Sequence, residues 1–173
     1  MKIVSPDIQH KTDVGGVKLN IGNIDNAIKS YEEIHLNIKN NAPNAVIDGV
    51  MISPMVKGGI ECILGAKIDP VFGPIVMFGL GGIYAEVMKD IAFAEAPISH
   101  KKAEKMILSL QGKDLFYGAR GQSSIDIEAL KEIIVNLSNF IAANSNQIDQ
   151  VEMNPVLVSN KQVIALDALI VTK

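Results

Sequence analysis

The chain has 173 residues, 48% of them apolar and 20% charged, with a net charge of −3. That length holds one ordinary domain or two small lobes sharing a core, and the balance is that of a soluble globular protein. The single cysteine, Cys62, excludes an intrachain disulfide, a Cys-rich metal site and a CxxC pair; the absence of a basic block argues against nucleic acid, and no apolar run reaches the ~18 residues of a membrane span.

One reduced cysteine fits a cytoplasmic setting, and the opening Met1–Pro6 is too short and polar for a signal peptide. Lys2 to Ser5 reads as a strand stopped by Pro6. His10 to Gly16 is polar and ends in two glycines, so it reads as a loop. Val17 to Ile21 alternates apolar and polar residues, as a half-buried strand does. Asn23 caps a helix to about Asn40, with Ile24, Ala27, Ile28, Tyr31, Ile34 and Ile38 on one face. Val50 to Met55 is the next strand. Ile60, Cys62, Leu64, Ala66 and Ile68 then alternate with a period of two, and Asp69-Pro70 begins a turn. Pro74 to Phe78 is a short apolar strand, followed by Gly79-Leu80-Gly81-Gly82, and Ile91 to Ala94 is another strand. Ser99 caps a helix with Ala103, Met106, Ile107 and Leu110 facing inward. Asp126 opens a helix striped by Ile127, Leu130, Ile133, Ile134, Leu137, Phe140 and Ile141. Strands around Val151 and from Val163 to Leu169 close the chain. This order indicates α+β rather than a pure parallel sheet.

Several residues could carry chemistry. Glu152 and Asn154, at i and i+2, share one face of a strand. A hairpin through Ser159-Asn160-Lys161 would bring Asp167 beside them. These are hard oxygen ligands of the kind Mg²⁺ takes together with nucleotide phosphates. The competing reading is a solvated strand face, harder to hold for a carboxylate among apolar neighbours. Lys2 is a lone cation, by pattern a surface charge. His10 in a diglycine loop could carry a phosphoryl group or simply face solvent. His35 and His100 read as solvated. The Gly79–Gly82 run could approach phosphates or form a tight turn. Arg120 could clamp an anion. Glu61 and Glu86 face either a polar cleft or solvent.

Three segments together resemble one family. Lys2-Ile3-Val4-Ser5-Pro6-Asp7-Ile8 with His10-Lys11-Thr12-Asp13-Val14-Gly15-Gly16-Val17 is similar to the signature of the ATP-grasp domain in NDP-forming acetyl-CoA and acyl-CoA synthetases. Phe72 to Ile83 is a second match. Glu152-Met153-Asn154-Pro155 with Leu166-Asp167-Ala168 is a third, similar also to succinyl-CoA synthetase β subunits. The resemblance runs from residue 2 to about 170. It implies an ATP-grasp fold of two lobes, the first over residues 1–49 and the second over 50–173. It implies that Lys2 contacts nucleotide phosphates and that Ser53, Pro54, Met55 and Val56 form the connector whose backbone reads adenine. Glu61 and Arg120 match recurrent polar positions of the nucleotide site. Glu152, Asn154 and Asp167 match the magnesium site, and His10 matches a loop histidine that relays the phosphoryl group. The implied cofactors are Mg²⁺ and ATP or ADP, and the implied partner is a CoA-binding and ligase subunit or domain, in an oligomer. The implied reaction is that of an acid–thiol ligase, exchanging a phosphoryl group between phosphohistidine and ADP.

Family members place a further helix and strands before the segment matching Lys2. The first lobe is therefore expected to be partial, with an open sheet edge of the kind that pairs with another chain. A catalytically inactive or regulatory ATP-grasp module is the alternative.

Overall fold

The α-helices among the described residues begin at caps that the sequence marks. In this computed structural model, which describes residues 1–82, 85, 87–118 and 124–173, α1 runs over Ile24–Asn41 and the Asn23 side chain accepts from the Asn26 N–H at 2.8 Å. Helix α2 spans His100–Ser109 behind Ser99, and α3 spans Ile127–Ala143 behind Asp126, whose carboxylate accepts from the Ala129 N–H at 3.0 Å. Each cap satisfies one of the N–H groups a helix leaves open at its start. The strands are β1 (Lys2–Val4), β2 (Gly49–Met51), β3 (Ile60–Asp69), β4 (Gly73–Leu80), β5 (Ile91–Glu95), β6 (Ile148–Val158), β7 (Val163–Ala165) and β8 (Ala168–Thr172). The chain divides into two compact units, Met1–Lys57 and Gly58–Lys173.

In the first unit β1 and β2 pair antiparallel, Lys2 opposite Met51. Ile3 and Ile8 pack against Ile34 and Ile38 of α1. Only the second half of the α1 stripe is used: Ile34 and Ile38 are fully buried, whereas Ile24 is 78% exposed and Ile28 54%. Two short strands cover too little surface to bury a helix of five turns. The strand expected over Val17–Ile21 shrinks to one bridge between Val17 and Lys2. Asn20, with φ at 57°, leaves the extended region and ends the run. The strand expected to reach Met55 stops at Met51, since Pro54 has no N–H to donate and restricts the residue before it.

In the second unit the strand order is β5-β4-β3-β6-β7, with β8 also on β6, and all pairings are antiparallel. The period of two read from the sequence sorts the faces. Cys62, Leu64 and Ala66 of β3 and Val76, Phe78 and Leu80 of β4 point to α2 and α3, which bring Ala103, Met106, Ile107, Leu130, Ile134 and Ile141. Along α3 the expected stripe holds except that Phe140 stays 40% exposed. Ser138, fully buried, accepts from the Ile98 N–H at 3.1 Å and donates to the Val135 carbonyl at 2.7 Å.

Burial, reinforced by the neighbouring Glu61 charge, pushes the Cys62 thiol from 9.0 up to about 12. The folded protein is therefore expected to leave Cys62 unmodified by a thiol reagent at pH 8, and denaturant to expose it. Because the folded value lies above the unfolded one, this group's stabilising contribution is whole below pH 9 and fades as pH rises toward about 12. Alkaline denaturation followed in the wild type and in Cys62→Ala checks the sign.

Candidate functional site

The long strand β6 carries an irregularity at Asn154-Pro155. On one side β3 pairs Cys62 with Val156 and Leu64 with Met153, so one residue of β3 spans two of β6. On the other side β7 pairs Val156 with Ala165, and β8 resumes at Met153 with Ala168. Pro155 cannot donate to the ladder, and a bulge re-aims side chains. The expected continuous strand over Val163–Leu169 is thus two strands, and Asp167 sits in the gap between them rather than mid-strand. There the Asn154 N–H donates to the Asp167 carbonyl at 3.2 Å, and the Leu166 N–H to the Pro155 carbonyl at 2.9 Å. The Asp167 carboxylate accepts from the Ala168 N–H at 3.1 Å.

Glu152 lies beside this gap. Its two carboxylate oxygens accept from the Asn154 amide at 3.3 Å and the Gln150 amide at 3.5 Å. Two carboxylates and an amide carbonyl, gathered where the ladder opens, fit a hard divalent cation that also takes phosphate oxygens. Among the described residues no three His, Cys, Asp or Glu cluster as a metal site.

Away from the helices the same sheet bears a groove of about 360 Å³, lined by Ile63, Gly65, Lys67, Met77, Gln150, Glu152 and Asn154 among others. The register sets its floor. One row crosses the sheet as Met77, Gly65, Glu152 and Leu169; the next crosses as Ile75, Lys67, Gln150 and Val171. Lys67 stands 4.0 Å from Asp69. Glu61 is exposed on β3, with its backbone carbonyl accepting from the Gly81 N–H at 2.7 Å. Gly79 and Leu80 lie in β4, so the glycine run begins as strand.

In the first unit Lys2 is half-buried in β1, and Ser53, Pro54 and Met55 are exposed in irregular chain, with Val56 half-buried. His10 is exposed at the start of a turn. The glycine pair behind it is held: the Gly16 N–H donates to the Lys11 carbonyl at 2.7 Å, and the Asn37 amide to the Gly15 carbonyl at 3.1 Å. A side chain at Gly16 would come within 2.6 Å of Ile3, so close packing already requires this glycine. His35, expected to be solvated, instead has its Nε2 buried without a partner, beneath the Tyr31 ring at 4.3 Å. Arg120 and Glu86 lie outside the described residues. Gly65, Lys67 and Gln150 were not singled out by pattern, although the period of two already placed Gly65 and Lys67 on the Glu61 face.

The chain matches the ATP-grasp domain family over residues 1–172. It is 41% identical over 175 residues to the β subunit of acetate–CoA ligase [ADP-forming] II of Pyrococcus furiosus, covering 100% of this chain and 74% of that subunit. Longer curated ligases are matched over 23% of their length. Among solved structures it resembles the dinucleotide-forming acetyl-coenzyme A synthetase 1 of Ca. Korarchaeum cryptofilum in complex with coenzyme A, Ca-AMPCP and HgCl+, with a TM-score of 0.95, 41% identity, and 99% of this chain and 75% of that one covered. The same synthetase with coenzyme A and Mg-AMPPCP, its phosphohistidine segment pointing towards the nucleotide binding site, matches at a TM-score of 0.79 and 38% identity, over 100% of this chain and 75% of that one.

Proposed function

We infer the function of this chain from the family to which it belongs, that of the ATP-grasp domain: it is the nucleotide-binding component of an ADP-forming acyl-CoA synthetase. The reaction served is acid + CoA + ATP giving acyl-CoA + ADP + phosphate, with a phosphohistidine handing its phosphoryl group to ADP in the reverse direction. The observation that supports this reading is the irregularity of β6 at Asn154-Pro155, where Asp167 is bonded through its backbone to Asn154, two residues from Glu152 at the groove. Those three residues hold Mg²⁺. When bound, the ion neutralises charge on the phosphoryl group in transit. The Gln150 and Asn154 amides keep the Glu152 carboxylate turned to the groove. Lys2 meets the phosphates through its ammonium group. The backbone of Ser53, Pro54, Met55 and Val56 reads adenine, Glu61 and Arg120 complete the nucleotide site, and His10 relays the phosphoryl group. A CoA-binding and ligase subunit or domain supplies the remaining chemistry, as the β-subunit name of a relative suggests. Retention of Lys2, His10, Glu152, Asn154 and Asp167 favours this over a non-catalytic module.

Calorimetric titration tests it. The chain is expected to bind ADP in a magnesium-dependent way, and Asp167→Ala to weaken that binding about tenfold or more, an effect of ~1.4 kcal/mol. A folded chain that takes up no nucleotide with or without magnesium overturns the reading.

A further inference from the structure

We propose that Gly65 is a specificity-determining residue whose missing side chain makes room for the metal-bound polyphosphate of the nucleotide beside Glu152. The inference rests on the nucleotide reading given above. Among the described residues four glycines lie within strands. Three have a local reason to be glycine. Gly49 has φ at 154° and Gly73 at 71°, where side chains are strained. A Cβ on Gly79 would come within 2.6 Å of Ile91 and 2.8 Å of the Asp90 carbonyl.

Gly65 has neither reason. It is not among the glycines of positive φ. A Cβ there would meet the Met77 methyl at 3.5 Å and the Val151 carbonyl at 3.6 Å, which are ordinary van der Waals distances. Glycine in a strand interior weakens the strand, because the unfolded chain gains freedom and no side chain packs. A glycine kept in mid-strand without a backbone or packing need marks a place where something approaches closely.

What approaches is defined by the neighbours. Gly65 is paired with Met77 on one side and with Glu152 on the other, and all three line the groove. The adjoining row places Lys67 against Gln150. The ligand beside Gly65 therefore lies next to a carboxylate that holds a divalent cation, with an ammonium on the neighbouring row. A polyphosphate carrying Mg²⁺ meets both demands, being anionic towards the lysine and cation-bridged towards the glutamate. Gly65 is buried, and a methyl group on it would press on the Met77 methyl and so raise the floor on which the polyphosphate rests.

The test sets stability against binding, which a merely structural role would move together. Gly65→Ala is expected to unfold at or above the wild-type temperature and to bind Mg·ADP about tenfold more weakly. Gly65→Val is expected to weaken it further. If Gly65→Ala unfolds at a clearly lower temperature, the glycine is explained by packing and the proposal falls. If it is equally stable and binds Mg·ADP within about twofold of wild type, the proposal falls while the nucleotide reading stands. If the folded wild type itself does not bind Mg·ADP, both fall together.

Discussion

Phe78→Ala is expected to destabilise the chain by about 3–5 kcal/mol. Phe78 is fully buried in the middle of β4, paired with Leu64 on β3 and Ala92 on β5. Its ring faces that of Phe116, in the 3₁₀ turn Lys113–Tyr117, with centroids 6.1 Å apart. Truncation removes both the transfer energy of the ring and its share of that aromatic contact. It also leaves a cavity in a layer held on one side by paired strands, which cannot collapse freely. Phe78→Leu keeps most of the volume and is expected to cost under about 1.5 kcal/mol. Urea unfolding of both variants checks the order. A loss below about 1 kcal/mol for alanine would place the centre of this core elsewhere.

Asp90→Ala is expected to cost about 2–4 kcal/mol, from the two donors it orphans. Asp90 is only 4% exposed, and its carboxylate accepts from the Gln111 N–H at 2.7 Å and the Gly112 N–H at 2.9 Å. It thereby ties the start of β5 to the chain leaving α2. Gly112 is half-buried, and a Cβ there would lie 2.3 Å from Leu80, so this turn packs closely against β4. Asp90→Asn keeps one acceptor but turns an NH₂ toward the second donor, so its loss is expected to fall between wild type and alanine. Thermal unfolding reads both, and an alanine variant as stable as wild type would show that water replaces the carboxylate.

Much of this architecture is legible in the sequence because local signals agree with the fold. Asn23, Ser99 and Asp126 announce their helices through side-chain chemistry that needs no tertiary partner. The alternation through Ile60–Ile68 survives because Cys62, Leu64 and Ala66 pack into the core while Glu61 and Lys67 stay exposed. What fails does so where tertiary geometry decides. Nothing in Val163–Leu169 says that the strand breaks at Asp167; the break follows from what its neighbour β6 does at Pro155. Likewise Ile24 and Ile28 belong to a helical stripe by spacing, yet the amount of sheet opposite them sets their exposure. The site was legible in part for the same reason. Glu152 and Asn154 share a face by simple periodicity, whereas Gly65 gains meaning only once it is seen opposite Glu152 with no clash awaiting a Cβ.

The position of β6 in the sheet also fixes an order of events during synthesis. Strands β3, β4 and β5 are neighbours in the sequence as well as in space, so they can pair as soon as they leave the ribosome. The other edge of β3 waits for β6, with Ile60 meeting Val158, and the inner face of the meander waits for α3. Until those segments emerge, Cys62, Leu64, Val76 and Phe78 stand uncovered on a nascent sheet with a free edge. This interval is the one in which a chaperone has most to hold and in which neighbouring nascent chains are most apt to stick. A pause in translation before Ile148 would lengthen it.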